Sequence, residues 1–372
     1  MIIRIQRKPM SLVLNYENTV VALAVVYFAE TLHIVSLYPV IGTVLKIFQF
    51  CLLGCIGLLF FRQRATANNI FVRIIVLVIF ILSFVYSGTF PFLKYGIVLL
   101  TGMNCNPSKL YAKLLKTYII CVAITVLLAV FGVLPSEIVR RGYSTYGFSH
   151  VNVLAQYILS ILCCFVIIHD HRFTLKQWII LLSTVAATKF MTDSKTTVIS
   201  MIAMILLLMV RKGLRQKLQR GKVLYYFAIC IPLICLATNL IMGMGYGEGN
   251  AILTTIDQAM NGRLGLANNL LNTLRLSMFG QDVAQSGVES AYLMGLYQYG
   301  LIPMAVESII YMYAIRKSMC DQSVGILICL LVMALHGMAE VSAFNPFVNV
   351  ALLSAFSRSS TMPILPIKES EE

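Results

Sequence analysis

The chain has 372 residues, of which 59% are hydrophobic and only 12% charged, with a mean hydropathy of +0.84 and a formal net charge of +14. A soluble domain cannot hide that much apolar surface, whereas a bilayer solvates it. A dozen spans of about 20 residues leave only short loops, which excludes a large soluble domain, and the positive charge then reads as membrane topology and contact with anionic headgroups, not nucleic-acid binding.

In chain order, candidate spans cover about 18–38, 40–61, 70–87, 90–104, 117–134, 149–168, 177–192, 195–210, 223–242, 289–314, 323–341 and 346–357. The fourth and twelfth are short enough to be half-crossings. Basic clusters at Arg4-Arg7-Lys8, Arg62-Arg64, Lys109-Lys113-Lys116, Arg172-Lys176, Arg211–Lys222, Arg316-Lys317 and Arg358-Lys368 are separated by roughly two hydrophobic stretches each. Positive charge stays on the cytoplasmic side during insertion, so both termini are expected inside. Lys46, Lys94 and Lys189 fall within spans; Arg140, Arg141, Lys195, Arg263 and Arg275 fall outside and break the bias. The expected fold is an all-α integral membrane protein, one polytopic domain over 1–372 with about 12 transmembrane helices (about 10–12 on edge placement). No short apolar segment with a small-residue cleavage site precedes the first span, so the N-terminus is expected to be retained. The ten cysteines lie in spans or inner loops without metal-type spacing, and neither disulfides nor a metal site is expected.

Two outer loops stand out. One runs from Pro135 to Ser149 and holds Arg140-Arg141-Gly142-Tyr143; the other, about 243–288, is the longest non-spanning segment. The glycine-rich run 242–249 at its start is not expected to hold a regular helix. Beyond it, Ile256, Met260, Leu264, Ala267, Leu271 and Leu274 recur at helical spacing, with Asp257, Asn261, Asn268, Asn272 and Arg275 opposite, an amphipathic helix suited to the interface or the bundle mouth. Arg263 projects from the middle of the apolar face. Either Gly262 breaks the helix or Arg263 points into the protein, where a guanidinium requires an anionic partner; the other reading is snorkelling to headgroups.

Spans six, eight and ten begin on the outer face, and helix N-termini there suit phosphate. Span six carries a polar stripe, Ser149, Asn152, Gln156 and Ser160, which reads as a hydrated cleft or as helix–helix hydrogen bonding. Glu30 and His33 share a face of span one, His336 and Glu340 are four apart in span eleven, and Glu307 lies in span ten. Scattered over separate spans, these do not form a recognisable proton relay.

Four segments, in order, carry a resemblance. They are Arg141-Gly142-Tyr143 with Gly147-Phe148-Ser149-His150-Val151-Asn152, then Thr192-Asp193-Ser194-Lys195-Thr196-Thr197, then Asn261-Gly262-Arg263, then Glu289-Ser290-Ala291-Tyr292-Leu293 with Gly300-Leu301. In this order and topology the chain resembles the Wzy-type O-antigen, capsule and exopolysaccharide polymerases, in the superfamily that includes the O-antigen ligases. The resemblance implies an enzyme of the bacterial cell membrane that joins oligosaccharide repeat units carried on undecaprenyl pyrophosphate, on the outer face, without cofactor or metal. It also implies membrane lipids, a chain-length regulator and a flippase as partners, and no nucleic acid. A leaving lipid pyrophosphate needs cationic stabilisation in a partly dry site, which arginine supplies through its forked donors. The motifs place the two essential outer-loop arginines of the family at Arg141 and Arg263. Arg140, Arg275, Lys195, His150, Asn152 and Tyr292 are candidates for substrate contacts. Ligases carry a histidine just before the tenth-span motif; this chain has Glu289, the first choice for the base that takes the acceptor proton, with Asp282, Glu248 and His150 as fallbacks. The departure counts against the ligase expectation more than against the polymerase one. With no second carboxylate evident for a covalent intermediate, inversion at the anomeric centre is expected.

Three alternatives remain. A lipid-linked oligosaccharide flippase would carry cations deep inside its spans and short outer loops, a ligase would use another surface acceptor, and a membrane scaffold would leave Arg141 and Arg263 dispensable.

Overall fold

Helix accounts for about 78% of the structure, a computed structural model, and no strand occurs among the described residues. These are 15–62, 67–102, 105–138, 142–170, 173–192, 194–213, 221–246, 250–259, 262–283 and 287–357. The all-α expectation holds. Among the described residues, three helices are long and apolar enough to cross a membrane: α3 (Pro39–Arg62), α6 (Pro107–Val130) and α7 (Val151–Ile168). A bent pair, α10 (Lys222–Ile229) and α11 (Ile231–Tyr246), would make a fourth, with 63° between its halves. Pro232 explains the bend, because it cannot donate to the Ala228 carbonyl and its ring crowds that oxygen. Large apolar side chains stand exposed along α3, α6, α4 (Ala67–Ser87) and α8 (Leu175–Met191), including Phe48, Phe71, Ile120 and Ile180. Such a surface suits lipid, not water.

Several expected spans take other forms. The first divides into α1 (Tyr16–Glu30) and α2 (His33–Leu37). The loop before α7 breaks it: His33 N–H donates to the Gly147 carbonyl at 2.9 Å, and Ser149 N–H to Thr31 at 2.9 Å. The fourth is α5 (Pro91–Leu100), whose 10 residues rise about 15 Å, half of a hydrocarbon core. The fifth, α6, begins well before 117, because Asn106 caps it and Pro107 opens it. The tenth is α14 (Ala291–Met294), a π turn at Gly295–Tyr299, and α15 (Leu301–Cys320), separated at Gly300 with φ 98°.

The twelfth expected span is not an α-helix. It holds one 3-10 turn, Val350–Ser354, and a second, Val341–Phe344, lies just before it in a largely buried stretch. Asn345 precedes Pro346, which disfavours helix there. Side chains satisfy the exposed carbonyls: Tyr118 reaches Phe347 at 2.7 Å, Ser160 reaches Val348 at 2.9 Å and Lys317 reaches Ser354 at 2.9 Å. Irregular backbone among apolar helices persists only when so satisfied.

Helix α16 (Val324–His336) is apolar around nearly its whole circumference, and all but Val324 and Leu335 of its residues are buried. It is the central helix, packed by α7, α15, α11 and α9 (Lys195–Met209). Its C-terminal end meets the N-terminal ends of α7 and α9, and polar side chains gather there.

The long loop contains two helices, α12 (Ala251–Ala259) and α13 (Arg263–Thr273), instead of one amphipathic helix. Gly262 divides them, in the left-handed region at φ 82°. The expected break at 242–249 is also displaced, because α11 continues through Gly243 and Gly245 to Tyr246. Packing offsets the glycine cost. A Cβ at Gly243 would stand 2.7 Å from Leu271 Cδ1 of α13, and the Gly243 carbonyl accepts from Asn268 Nδ2 at 2.9 Å.

Candidate functional site

The local chain directs Arg263 inward. Asp257, buried in α12, accepts from Leu264 N–H at 2.7 Å and Gly265 N–H at 3.3 Å through Oδ1, so it caps α13 across the Gly262 turn. Arg263 is the first residue of α13, and its side chain enters the bundle between α9 and the end of α16. Both alternatives set out for this residue hold: the helix breaks at Gly262 and the guanidinium points into the protein.

Its partners come from three segments. Nη1 donates to Thr196 Oγ1 of α9 at 3.3 Å and to the carbonyl of Ala339, just beyond α16. Nη2 serves two carboxylates, Glu340 Oε1 at 2.9 Å and Glu289 Oε2. The second oxygen of Glu340 accepts from Gln156 Nε2 of α7 at 3.1 Å. The C-terminal end of a helix carries partial negative charge, which adds to the attraction for the guanidinium. A cation with two carboxylates and two neutral oxygens is well compensated for a site of this burial.

Glu289 reaches the cluster because the start of α14 is tied to the end of α16. Ala291 N–H donates to the Gly337 carbonyl at 2.9 Å, and Tyr292 hydroxyl donates to the Ala334 carbonyl at 2.9 Å. His336 is fully buried one turn before Glu340. Ser200 Oγ donates to the Thr196 carbonyl at 2.9 Å and lies 3.1 Å from His336 Nδ1, which assigns the proton to Nδ1. Nε2 of His336 has no hydrogen-bond partner among the described residues.

Of the expected site residues, Arg263 and Glu289 are in direct contact. Lys195 is exposed at the first position of α9, beside Thr196. His150 is the N-cap of α7, its Nδ1 accepting from Asn152 N–H at 3.1 Å, and Asn152 is half-buried one turn before Gln156. Tyr292 differs from its expected role: it is fully buried, its hydroxyl committed to α16, and it fastens helices together. Arg275 is exposed past the far end of α13, at least about 15 Å along the helix from Arg263. Arg140, Arg141, Asp193, Glu248 and Asn261 lie outside the described residues. The loop that carries Arg141 is closed at its base by a bridge between Ile138 and Ser144, with Glu137 N–H donating to Thr145 Oγ1 at 3.0 Å.

Glu340 and Thr196 are the contacts of Arg263 that sequence reasoning did not assign. The signal existed in two separate places, the requirement for an anion beside Arg263 and the polar stripe ending near Gln156. Of the ionisable residues read as scattered without a proton relay, Glu340 pairs with Arg263, and His336 lies one turn before it, against Ser200. Glu30 and His33 pair elsewhere, Glu30 at 3.8 Å from Lys94 and His33 at 3.3 Å from Glu137. Both oxygens of buried Glu307 lack hydrogen-bond partners among the described residues. No group of metal-ligating side chains occurs among the described residues.

The chain matches no family model, and no curated protein or solved structure is significantly similar to it.

Proposed function

We propose that the chain is an integral membrane glycosyltransferase that polymerises undecaprenyl-pyrophosphate-linked repeat units into a surface polysaccharide. In this reading the helices form a polytopic bundle of about 12 crossings in a bacterial cell membrane, both termini are cytoplasmic, and the Arg263 cluster faces the extracytoplasmic side. One observation carries the reading: an arginine from the long loop is drawn among helix ends, beside a half-exposed carboxylate, where the charge bias places the outer face. A lipid-linked donor enters such a site sideways from the bilayer, so no soluble catalytic domain is needed.

The acceptor hydroxyl of one repeat attacks the anomeric carbon of the glycan on its lipid carrier. The bond from that carbon to the pyrophosphate oxygen breaks, and the electron pair leaves with the lipid pyrophosphate. Arg263, joined by Arg141 in this proposal, offsets the departing negative charge. Glu289 takes the hydroxyl proton. Glu340 is a second carboxylate that the sequence left unassigned, which reopens the question of a covalent intermediate. Both of its oxygens are engaged, one by Arg263 and one by Gln156, and it is 5% exposed, so inversion by direct attack remains the proposed course.

The test is polysaccharide length in a deletion strain expressing wild type, Arg141→Ala, Arg263→Ala or Glu289→Gln at equal membrane levels. Single repeats accumulating on the outer face with Arg263→Ala, against a ladder in wild type, are expected. Full ladders from every variant would remove the assignment.

A flippase has one observation in its favour. Lys94 of α5 is buried inside the bundle, where it donates to Gln49 Oε1 at 3.2 Å and lies 4.6 Å from the Tyr27 ring centroid. Repeats trapped on the inner face of the deletion strain would select that reading.

A further inference from the structure

Resting on the polymerase reading, we infer that Glu340 is the permanent counterion that positions Arg263, and that Glu289 is an exchangeable one, displaced when a phosphate group of the substrate arrives. Both carboxylates use the same nitrogen, Nη2 of Arg263. Their surroundings differ sharply: the Glu340 side chain is 5% exposed and the Glu289 side chain 46% exposed. Glu340 is held at three further points. Its other oxygen accepts from Gln156, its backbone N–H donates to the His336 carbonyl at 3.1 Å, and its neighbour Ala339 binds Nη1. Glu289 belongs to a non-helical stretch before α14.

Phosphate and carboxylate oxygens compete for the same guanidinium donors. Removing Glu340 would leave a buried charge without its partner, whereas Glu289 can leave into water at small cost. Nη1 already serves two acceptors, and Nη2 donates to Glu340 and lies in ion-pair contact with Glu289, so a phosphate reaches Nη2 only in place of a carboxylate. Glu289 is the one that can go. Arrival of the donor phosphate would thus release a carboxylate beside the reacting centre, and the base becomes available only when there is a glycan to transfer.

The probe is inorganic pyrophosphate, titrated calorimetrically into the full-length protein in maltoside detergent at fixed ionic strength. Glu289→Gln is expected to bind it roughly three- to tenfold more tightly than wild type, as loss of a half-exposed ion pair implies. Glu340→Gln is expected to bind it more weakly, and Arg263→Ala not at all. Opposite signs for two carboxylate-to-amide changes at one nitrogen are what a merely structural role would not produce. Binding by Glu289→Gln that is equal to or weaker than wild type overturns the inference, as does absence of binding in both. That comparison decides alone if Glu340→Gln does not fold. Phosphatidylglycerol added to the micelle that displaces pyrophosphate at low mole fraction would make the ligand a lipid headgroup and overturn the link to the donor. The two readings fail separately. Loss of the exchange with ladders still missing in Arg263→Ala cells leaves the polymerase standing, whereas full ladders in those cells remove the polymerase and leave any measured exchange intact.

Discussion

Gln156 Nε2 donates to Glu340 Oε2 at 3.1 Å, joining the second turn of α7 to the residue four beyond the end of α16. The bond fixes the second oxygen of a carboxylate whose first oxygen holds Arg263, so a neutral amide two contacts from any substrate governs where the guanidinium sits. Gln156→Ala is therefore expected to lower polymer synthesis about tenfold, less than Arg263→Ala, with a stability loss of about 1.5–3 kcal/mol as for a hydrogen bond to a charged group. Glycan ladders and thermal unfolding in detergent check both. Synthesis unchanged at equal membrane levels would show that Glu340 needs no such support.

The inward turn of Arg263 was half legible in the sequence. Its place on an apolar face required either a broken helix or a buried cation, and Gly262 permitted both. Its partners were not legible, because Glu340, Glu289 and Thr196 come from segments far apart in the chain, and only the packing around α16 sets their distances. Apolar length also located most helices. It failed at 346–357, where an apolar stretch is buried as irregular backbone with one 3-10 turn because Tyr118, Ser160 and Lys317 satisfy its carbonyls. It failed again at 242–246, where propensity alone disfavours helix and Asn268 and Leu271 of α13 select it.

Arg263→Ala should destabilise the protein as well as silence it. Glu340, buried, would be left beside Glu289 with no cation between them. Breaking a buried ion pair from one side costs about 3–5 kcal/mol. The double variant Arg263→Ala with Glu340→Ala removes the stranded carboxyl and is expected to melt higher than Arg263→Ala alone, although both are inactive. A double variant that melts lower would mean that Glu340 contributes through packing and not through its charge.

Asp257 tests whether the cap of α13 aims the arginine. Its Oδ1 is the acceptor for Leu264 and Gly265, so Asp257→Asn can retain the contact through the amide oxygen while Asp257→Ala cannot. Loss of an N-terminal cap costs about 1–2 kcal/mol. Glycan synthesis should fall strongly with Asp257→Ala and mildly with Asp257→Asn. Equal defects from both would instead point to the carboxylate charge.

Gly243 offers a route to the site that touches none of its polar groups. A methyl there would approach the end of the Leu271 side chain at 2.7 Å and Ala267 Cβ at 3.4 Å. Leu271 is only partly buried and its side chain can turn, and alanine is favoured over glycine within a helix by about 1 kcal/mol. Gly243→Ala should thus be close to neutral. Gly243→Leu cannot be accommodated by one rotamer change, and overpacking of this kind costs about 1–3 kcal/mol. It would push α13 away from α11 and carry Arg263 out of reach of Nη2's two carboxylates. The expected result is a shortened glycan ladder with Gly243→Leu and a normal one with Gly243→Ala, at matched membrane levels. A normal ladder from both would show that α13 tolerates displacement and that the position of Arg263 is set by its ion pairs alone.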